Sequence, residues 1–345
     1  MNLELLNETA VKMVTPGQGL LAADESTGTI GKRMASISTE NNEENRRDWR
    51  EMLFRTDKAM QDHVSGVILF EETLTQMAKD GTPLADLITK NDALLGIKVD
   101  KGAKPMALKS GETITEGLDG LRERLYTYFE QGARFAKWRA VIEISNPDHS
   151  WNATPTYGAI KANTQALARY AALCQEANIT PIVEPEVLMG GYHGIQTCHD
   201  VTEQVLKSLY ADLYEHGVKL EGTILKPNMI VPGKRCPTQS SVAEIAERTI
   251  QVLQDTVPSS VPGIAFLSGG QDNIEATENL DAINKIGGFP WKVTYSYGRA
   301  LQQAALFAWG GKSENYDDAQ KAFNHRARMN GLASIGKWDS SLETV

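Results

Sequence analysis

One lysine, Lys226, lies in the mostly apolar segment LEGTILKPNM (220–229). If this segment is a strand, alternation places Gly222, Ile224 and Lys226 on one face, so the amine points the same way as residues typical of a core. Pro227 is expected to end the strand pairing. Burial disfavours the charged form of an amine and lowers its pKa, and a neutral amine is a nucleophile. Alternatively, the side chain runs along an apolar surface and places its ammonium in solvent.

Other charged side chains also lie in or at the end of apolar segments. They are Asp24, Lys98, the pair Lys137 and Arg139, and the pair Glu184 and Glu186. Within each pair the spacing of two puts both side chains on one face of a strand. Charges inside apolar segments are costly unless they are paired, so convergence in one interior would compensate them. A structural salt bridge between Lys137 and Glu186 would explain one pair, but it does not explain charges on four strands.

These residue types suit carbonyl chemistry through an imine. Lys226 would attack a ketone, and Lys137 would help to keep the pKa of that amine low through like-charge repulsion. Glu184 would carry the protons for dehydration of the carbinolamine, and Asp24 would act as base or acid at the carbon that is cleaved or joined. The positions alone leave open which carboxylate serves which step.

Two glycine-containing turns indicate a phosphate site. LSGGQ (267–271) and SYGRA (296–300) each follow a predicted strand and precede a helix, where barrels often bind phosphate through backbone N–H groups. Arg299 adds a forked donor suited to phosphate. At the far side a second anionic group would contact Ser26, Thr29, Lys32, Arg33 and Lys98. Lys32 and Arg33 also fit a solvated helix face.

Eight segments with strand character alternate with helical ones along the chain. They cover residues 17–28, 64–73, 94–102, 135–144, 178–187, 220–229, 263–271 and 291–300. Such alternation calls for a parallel sheet, and eight strands close into an α/β TIM (β/α)8 barrel, in which chemistry lies at the C-terminal ends of the strands. A doubly wound open sheet is the alternative, but no glycine-rich dinucleotide fingerprint follows the first strand. We expect one domain over 1–345, with a helix before the barrel and a tail after it.

Composition limits the partners. The net charge of -9 and the pI near 5.3 argue against nucleic acid and anionic membranes, and no apolar stretch is long enough to span a bilayer. The three cysteines are widely spaced and fit free thiols in a reducing cytoplasm. The six histidines form no metal motif, and we expect His193 and His199 to lie at the surface. We expect no metal and no cofactor.

With these residues located, the sequence closely resembles the class I, Schiff-base-forming fructose-bisphosphate aldolases over nearly its whole length. The motifs that carry the resemblance are, in order, LAADES, GIKVDKG, FAKWR, PIVEPE, LEGTILKPNM, FLSGGQ and SYGRAL. The resemblance implies a metal-independent TIM barrel that reversibly cleaves fructose 1,6-bisphosphate to dihydroxyacetone phosphate and glyceraldehyde 3-phosphate. It also implies a cytoplasmic homo-oligomer, most simply a tetramer, that works in glycolysis and gluconeogenesis.

The resemblance also implies roles for individual residues. Lys226 resembles the imine-forming lysine, Glu184 the acid and base of dehydration, and Asp24 the residue at carbon–carbon cleavage. Lys137 and Glu186 resemble supporting catalytic residues. The residues that resemble the family's site for the ketose-side phosphate are Ser268, Gly269, Ser296, Gly298 and Arg299. Those that resemble the other end of the substrate site are Ser26, Lys98 and Arg139.

Two features depart from animal members of the family. Those proteins end in a tyrosine that assists a late proton transfer, whereas this chain ends in SLETV, and the loop LMGGYHG also differs. We expect the tail to take no part in catalysis. The alternative functions are another Schiff-base aldolase, acting on sedoheptulose 1,7-bisphosphate or resembling transaldolase, and a non-catalytic scaffold on the same fold.

Overall fold

Eight parallel strands close into a barrel in the computed structural model, which describes residues 1–145 and 154–344. The described residues contain ten strands, eight of which form the barrel: β1 (Gly19–Ala23), β2 (Val64–Leu69), β3 (Leu94–Lys98), β4 (Ala103–Pro105), β5 (Thr113–Thr115), β6 (Phe135–Ile142), β7 (Thr180–Val187), β8 (Ile224–Leu225), β9 (Gly263–Phe266) and β10 (Lys292–Tyr297). Around the barrel the order is β1-β10-β9-β8-β7-β6-β3-β2, with β4 and β5 forming a separate hairpin. The predicted TIM barrel is therefore confirmed.

Helices surround the barrel and connect its strands. They are α1 (Leu3–Met13), α2 (Thr27–Ser36), α3 (Glu43–Phe54), α4 (Asp57–His63), α5 (Glu71–Leu74), α6 (Leu84–Thr89), α7 (Leu121–Glu130), α8 (Tyr157–Glu176), α9 (Ile195–Glu215), α10 (Val242–Thr256), α11 (Asn273–Ile286), α12 (Arg299–Trp309) and α13 (Tyr316–Ala333). None of the described helices is both long and apolar enough to cross a membrane.

The barrel interior has an apolar layer below a polar one. The apolar layer contains Leu20, Ala22, Ile68, Phe135, Ile182, Ile224 and Ala265, all buried. Since inward-facing positions recur every two residues along a strand, the next such position after Phe135 is Lys137, after Ile182 is Glu184, and after Ile224 is Lys226. The same alternation that places apolar residues in the core therefore places the charged residues inside the barrel at its mouth.

Helix α1 closes the opposite end of the barrel. Its Ala10 and Met13 pack with the apolar layer, and the carbonyl of Leu6 accepts a hydrogen bond of 3.0 Å from Thr180 Oγ1 on β7. The helix begins at the Asn2 cap, whose side chain accepts from the Leu5 amide. With this end filled by apolar side chains, the polar layer can meet solvent and substrate at the opposite mouth.

The segment around Lys226 is a shorter strand than its sequence indicates. Residues Leu220–Gly222 form a turn of 3₁₀ helix, and only Ile224 and Leu225 form β8. Ladder pairing of β8 extends no further than Leu225, so it has ended before Pro227, as predicted. Pro227 cannot donate a hydrogen bond, yet its carbonyl accepts one of 3.1 Å from the Leu267 amide, while the Lys226 amide donates to Val183 at 2.8 Å. Backbone hydrogen bonds to β7 and to the residue after β9 therefore hold the chain at Lys226 and at the residue that follows it.

The predicted surface position of two histidines was wrong. His193 and His199 are 3% and 6% exposed, because the loop that follows β7 folds back onto the segment after β8: the Gly233 amide donates to the His193 carbonyl at 2.8 Å. On α9, His199 lies beside Asp200 and Glu203, with one potential ligand atom of each within 4.8 Å. His199 Nδ1 is 3.3 Å from the Asp200 carboxylate, so this group is partly satisfied by its own contacts.

We predict that Gly96→Ala destabilises the protein through overpacking. A Cβ at this position on β3 would overlap the ring of Phe135, which is fully buried in the apolar layer. Such insertions typically cost about 1–3 kcal/mol of unfolding free energy. Gly28→Ala in α2 is the control, because its Cβ would meet no atom within 4 Å. Urea denaturation should separate the two variants, and equal midpoints would contradict the prediction.

Candidate active site

A cavity of about 370 Å³ opens at the C-terminal ends of the barrel strands. Of the thirteen site residues predicted from the sequence, the structure places twelve in its lining. They are Asp24, Ser26, Lys98, Lys137, Arg139, Glu184, Glu186, Lys226, Ser268, Gly269, Ser296 and Gly298. The sequence alone placed these residues on seven different strands or strand ends, and closure of the sheet brings them together.

Glu184 links two amines across the cavity. Its Oε1 lies 3.3 Å from the Nζ of Lys226, and its Oε2 lies 3.3 Å from the Nζ of Lys137. Lys137 is also 2.6 Å from Asp24 Oδ2. The four side chains are buried or nearly so, which makes the row Lys226–Glu184–Lys137–Asp24 a chain of alternating charge.

The two lysines of this row have opposite pKa shifts. Burial lowers the pKa of Lys226, and repulsion from Lys137 adds to that effect, while Glu184 opposes it without reversing it. Burial also acts to lower the pKa of Lys137, but Asp24 and Glu184 outweigh it and raise that pKa. Lys226 therefore has the larger neutral fraction at a given pH, as a nucleophile requires, while Lys137 remains a cation.

The two carboxylates of the row are held in their ionised forms. Burial acts to raise the pKa of Asp24, but attraction to Lys137 and Lys226 lowers it to about 2. Burial likewise acts to raise the pKa of Glu184, yet Lys137 and Lys226 lower it overall. Both groups are consequently carboxylates near neutral pH and are ready to accept protons once the neighbouring cations change their contacts.

The suggested salt bridge between Lys137 and Glu186 was wrong. Glu186 instead accepts a hydrogen bond from Nε of Arg139. In the register of β6 and β7, Arg139 lies beside Glu184 and Lys137 lies beside Ile182. Each cation on β6 therefore contacts the carboxylate two residues beyond its backbone neighbour, a diagonal contact that long side chains can reach across parallel strands. Strand alternation alone does not reveal this offset.

Three charged residues of the cavity lining, described next, lie outside the set of thirteen. Asp100 is 3.3 Å from the Nζ of Lys98, and the spacing of two in KVD was the signal for it. Glu25 forms an ion pair with Arg33. Glu25 is adjacent to Asp24, and neighbours in a strand face opposite ways, so no pattern marked it; here the chain has already left β1. Arg33 lines the cavity, whereas Lys32 is exposed outside it.

The two predicted phosphate turns lie side by side on neighbouring strands, β9 and β10. Ser268, Gly269 and Gly298 line the cavity there, and so does Ser296, whose buried hydroxyl has no hydrogen-bond partner among the described residues. Helix α12 begins next to Gly298, and no side chain caps its first amides. Free helix amides together with an unpartnered hydroxyl form an anion-binding surface.

Arg299 is the predicted site residue that does not line the cavity. It is the first residue of α12, and its guanidinium donates a hydrogen bond to the carbonyl of Gln271. The side chain of Gln271 accepts in turn from Asn279 on α11 at 2.7 Å. In this conformation Arg299 braces the turn that carries Ser268 and Gly269 from behind.

The cavity lining is balanced in formal charge. It contains five carboxylates, Asp24, Glu25, Asp100, Glu184 and Glu186, and five cations, Arg33, Lys98, Lys137, Arg139 and Lys226. Net charge therefore supplies little attraction for an anion. Binding of a phosphate must instead depend on local donors, namely helix amides, hydroxyls and cations that exchange a carboxylate for the ligand.

Comparisons with known proteins agree with one another. A sequence model of the family described as "Glycolytic: Fructose-bisphosphate aldolase class-I" matches residues 4–345. A probable fructose-bisphosphate aldolase class 1 of Xanthomonas axonopodis is 53% identical over 98% of this chain and 99% of its own length. The cytosolic fructose-bisphosphate aldolase 4 of Arabidopsis thaliana is 54% identical over 95% of this chain and 82% of its own length.

A solved structure is also similar. It is fructose-bisphosphate aldolase from Plasmodium falciparum, in complex with TRAP and a small-molecule inhibitor. The TM-score is 0.94, with 45% sequence identity over 98% of this chain and 96% of the other.

The opposite pKa shifts predict different reactivity for the two lysines. Reductive alkylation with a small neutral aldehyde and borohydride near pH 7 should modify Lys226 at least about tenfold faster than Lys137, because each pKa unit changes the neutral fraction tenfold. Both amines face the same cavity, so access is matched. Peptide mass mapping over time measures the two rates, and equal rates would contradict the charge arrangement.

Proposed function

The chain belongs to the class I fructose-bisphosphate aldolases and is an aldehyde lyase, and on this basis we propose that it works through an imine on Lys226. The proposed reaction is the reversible cleavage of fructose 1,6-bisphosphate to dihydroxyacetone phosphate and glyceraldehyde 3-phosphate. The observation that carries the proposal is the contact of Glu184 with both Lys226 and Lys137, because it pairs an amine of lowered pKa with a carboxylate that can move its protons.

Imine formation begins with a proton transfer inside this pair. The ammonium of Lys226 gives a proton to Glu184 over their 3.3 Å contact, and the neutral amine attacks the ketone carbon at C2. A proton shift from nitrogen to oxygen gives the carbinolamine. Glu184 then returns its proton to the carbinolamine hydroxyl, which leaves as water, and an iminium ion remains. Glu184 is again a carboxylate, so the new positive charge replaces the lost ammonium beside the same counterion.

Cleavage uses the iminium ion as an electron sink. Asp24 accepts the proton of the C4 hydroxyl as the bond between C3 and C4 breaks, and the bonding pair moves to the iminium nitrogen to form an enamine. Lys137, 2.6 Å from Asp24, remains protonated and keeps that carboxylate oriented. The aldehyde leaves first. Asp24 then gives the proton that it accepted to C3 of the enamine and is again a carboxylate, and hydrolysis of the resulting iminium ion by water releases dihydroxyacetone phosphate and restores Lys226.

The two ends of the substrate are proposed to bind at opposite sides of the mouth. The ketose-side phosphate would contact Ser268, Gly269, Ser296 and Gly298 and the first amides of α12, with Arg299 bracing the turn or swinging to the phosphate. At the other end, Lys98 and Arg139 would release part of their contact with Asp100 and Glu186 to bind the second phosphate, next to Ser26. Arg33 lies close to Gly298 and would also contact the ketose-side phosphate.

The remaining expectations are proposed on the same family basis. We propose that residues 1–345 form one aldolase domain and that the chain assembles into a homo-oligomer, with a tetramer favoured. A cytoplasmic location and a role in glycolysis and gluconeogenesis are supported by the cytosolic relative and by three free thiols. We propose that neither a metal nor a cofactor takes part, because Lys226 itself supplies the electron sink.

The imine is tested by trapping. Borohydride with dihydroxyacetone phosphate should add the triose to the peptide that contains Lys226, and Lys226→Met should lower the cleavage rate roughly a thousandfold or more, about 4 kcal/mol in barrier. Glu184 keeps its contact with Lys137 in this variant, so the fold should remain intact, as circular dichroism would show. Adducts at Lys98 or Lys137 instead would reject the assignment.

The two phosphate ends are separated by a pair of variants. Arg299→Ala should raise the KM for both fructose 1,6-bisphosphate and fructose 1-phosphate, whereas Lys98→Met should raise it for the bisphosphate alone. Loss of a charge-assisted bond costs roughly 1.5–3 kcal/mol, which corresponds to about 10- to 100-fold. Activity on non-phosphorylated fructose serves as the control. If Arg299→Ala lowers that activity equally, Arg299 has no role in binding phosphate.

A further inference from the structure

The C-terminal tail of this chain is docked on the outer helices. Trp338 is buried, its amide donates to Asp281 on α11 at 2.9 Å, and its carbonyl accepts from Lys285 at 3.3 Å. Residues Ser340–Glu343 then form a 3₁₀ turn capped by Asp339. None of the described tail residues lines the catalytic cavity. The contacts of the tail therefore lead to α11 and α13.

Glu343 in this tail forms an ion pair with the buried cation Arg326. Its carboxylate accepts from Arg326 on α13, from the indole Nε1 of Trp338 at 2.9 Å and lies 3.1 Å from His325 Nε2. Arg326 is 4% exposed, and among the described residues Glu343 is the carboxylate within ion-pair distance of it. A buried guanidinium that loses its counterion is strongly destabilised and tends to move toward solvent. The position of Arg326 thus depends on the tail.

Arg326 in turn holds the start of α11. Its Nη2 donates to the carbonyl of Asn273 at 2.8 Å and to Oγ1 of Thr277 at 2.6 Å. Asn273 is the first residue of α11 and follows directly on the turn 267–272, which carries Ser268 and Gly269. Gln271 in this turn is bound by Asn279 of α11 on one side and by Arg299 on the other. Polar contacts therefore run from Glu343 to the first turn of α11, and the backbone continues from there directly into the phosphate turn.

We propose that Glu343 is a positioning residue for substrate phosphate, acting through Arg326 and the first turn of α11 on Ser268 and Gly269. This inference deepens the proposed function, since it rests on the ketose-side phosphate site described above. It also gives a role in substrate binding to a tail that the sequence alone predicts to take no part in catalysis. The described tail residues touch no reacting atom, yet the carboxylate of Glu343 neutralises Arg326, the cation that holds the start of α11 next to the phosphate turn.

The test compares Glu343→Gln with a matched variant elsewhere. Lys161→Gln is the control, because it removes the partner of the fully buried Asp212 between α8 and α9, away from the cavity. In the full-length protein, Glu343→Gln should raise the KM for fructose 1,6-bisphosphate about three- to tenfold, with kcat within about twofold, while Lys161→Gln leaves KM unchanged. Activity on non-phosphorylated fructose should change little in either variant.

Hydrogen exchange gives a second measurement that is independent of activity. Amides in residues 267–277 should exchange faster in Glu343→Gln than in the parent or in Lys161→Gln. Glu343→Asp keeps the charge on a shorter arm and should show the same changes at reduced size, which also covers the case in which the glutamine variant does not fold. If these variants leave KM and exchange over 267–277 as in the control, the proposal is overturned.

If the proposed phosphate site were wrong, the experiments would give a different result from that expected if only the role of Glu343 were wrong. Arg299→Ala would then lower activity equally on phosphorylated and non-phosphorylated substrates. Glu343→Gln would still accelerate exchange over 267–277 in that case, because the polar contacts from the tail exist whether or not the turn binds phosphate.

Discussion

The active-site architecture depends on the mutual compensation of buried charges. Lys226 can lie buried in the cavity because Glu184 is 3.3 Å away, and Glu184 is tolerated because Lys137 and Lys226 each contact one of its two oxygens. An uncompensated charge there would be very costly. The two lysines are compensated to different degrees because of their positions. Lys137 contacts two carboxylates and keeps its proton, whereas Lys226 contacts one and loses its proton more readily.

The barrel supplies the geometry for this compensation. Parallel strands end at one rim, and their inward positions alternate, so one strand contributes an apolar residue to the core and a charged residue to the mouth above it. Phe135 and Lys137 on β6 illustrate the division, as do Ile224 and Lys226 at β8. At the opposite end, Ala10 and Met13 of α1 pack against the apolar layer.

Outside the barrel, polar contacts hold the turn that carries Ser268 and Gly269, which we propose binds a substrate phosphate. The first turn of α11 is capped by Asp272 and Glu275 and is held from behind by Arg326. Arg299 fixes the preceding turn through the carbonyl of Gln271. Because the cavity lining is balanced in charge, the proposed phosphate binding would depend more on the placement of amides and hydroxyls than on total charge.

The sequence by itself determined the barrel and most of the residues at its mouth, since both follow from short-range alternation in strands such as FAKWR and PIVEPE. Tertiary structure decided the partners. Which carboxylate meets Lys137, that Arg299 lies behind the phosphate turn, that His193 is buried and that Glu343 neutralises Arg326 all depend on contacts between segments far apart in the chain. Alternation gives the face on which a side chain lies, but strand offset, loop packing and charge burial set what it touches, because these arise only when the sheet closes.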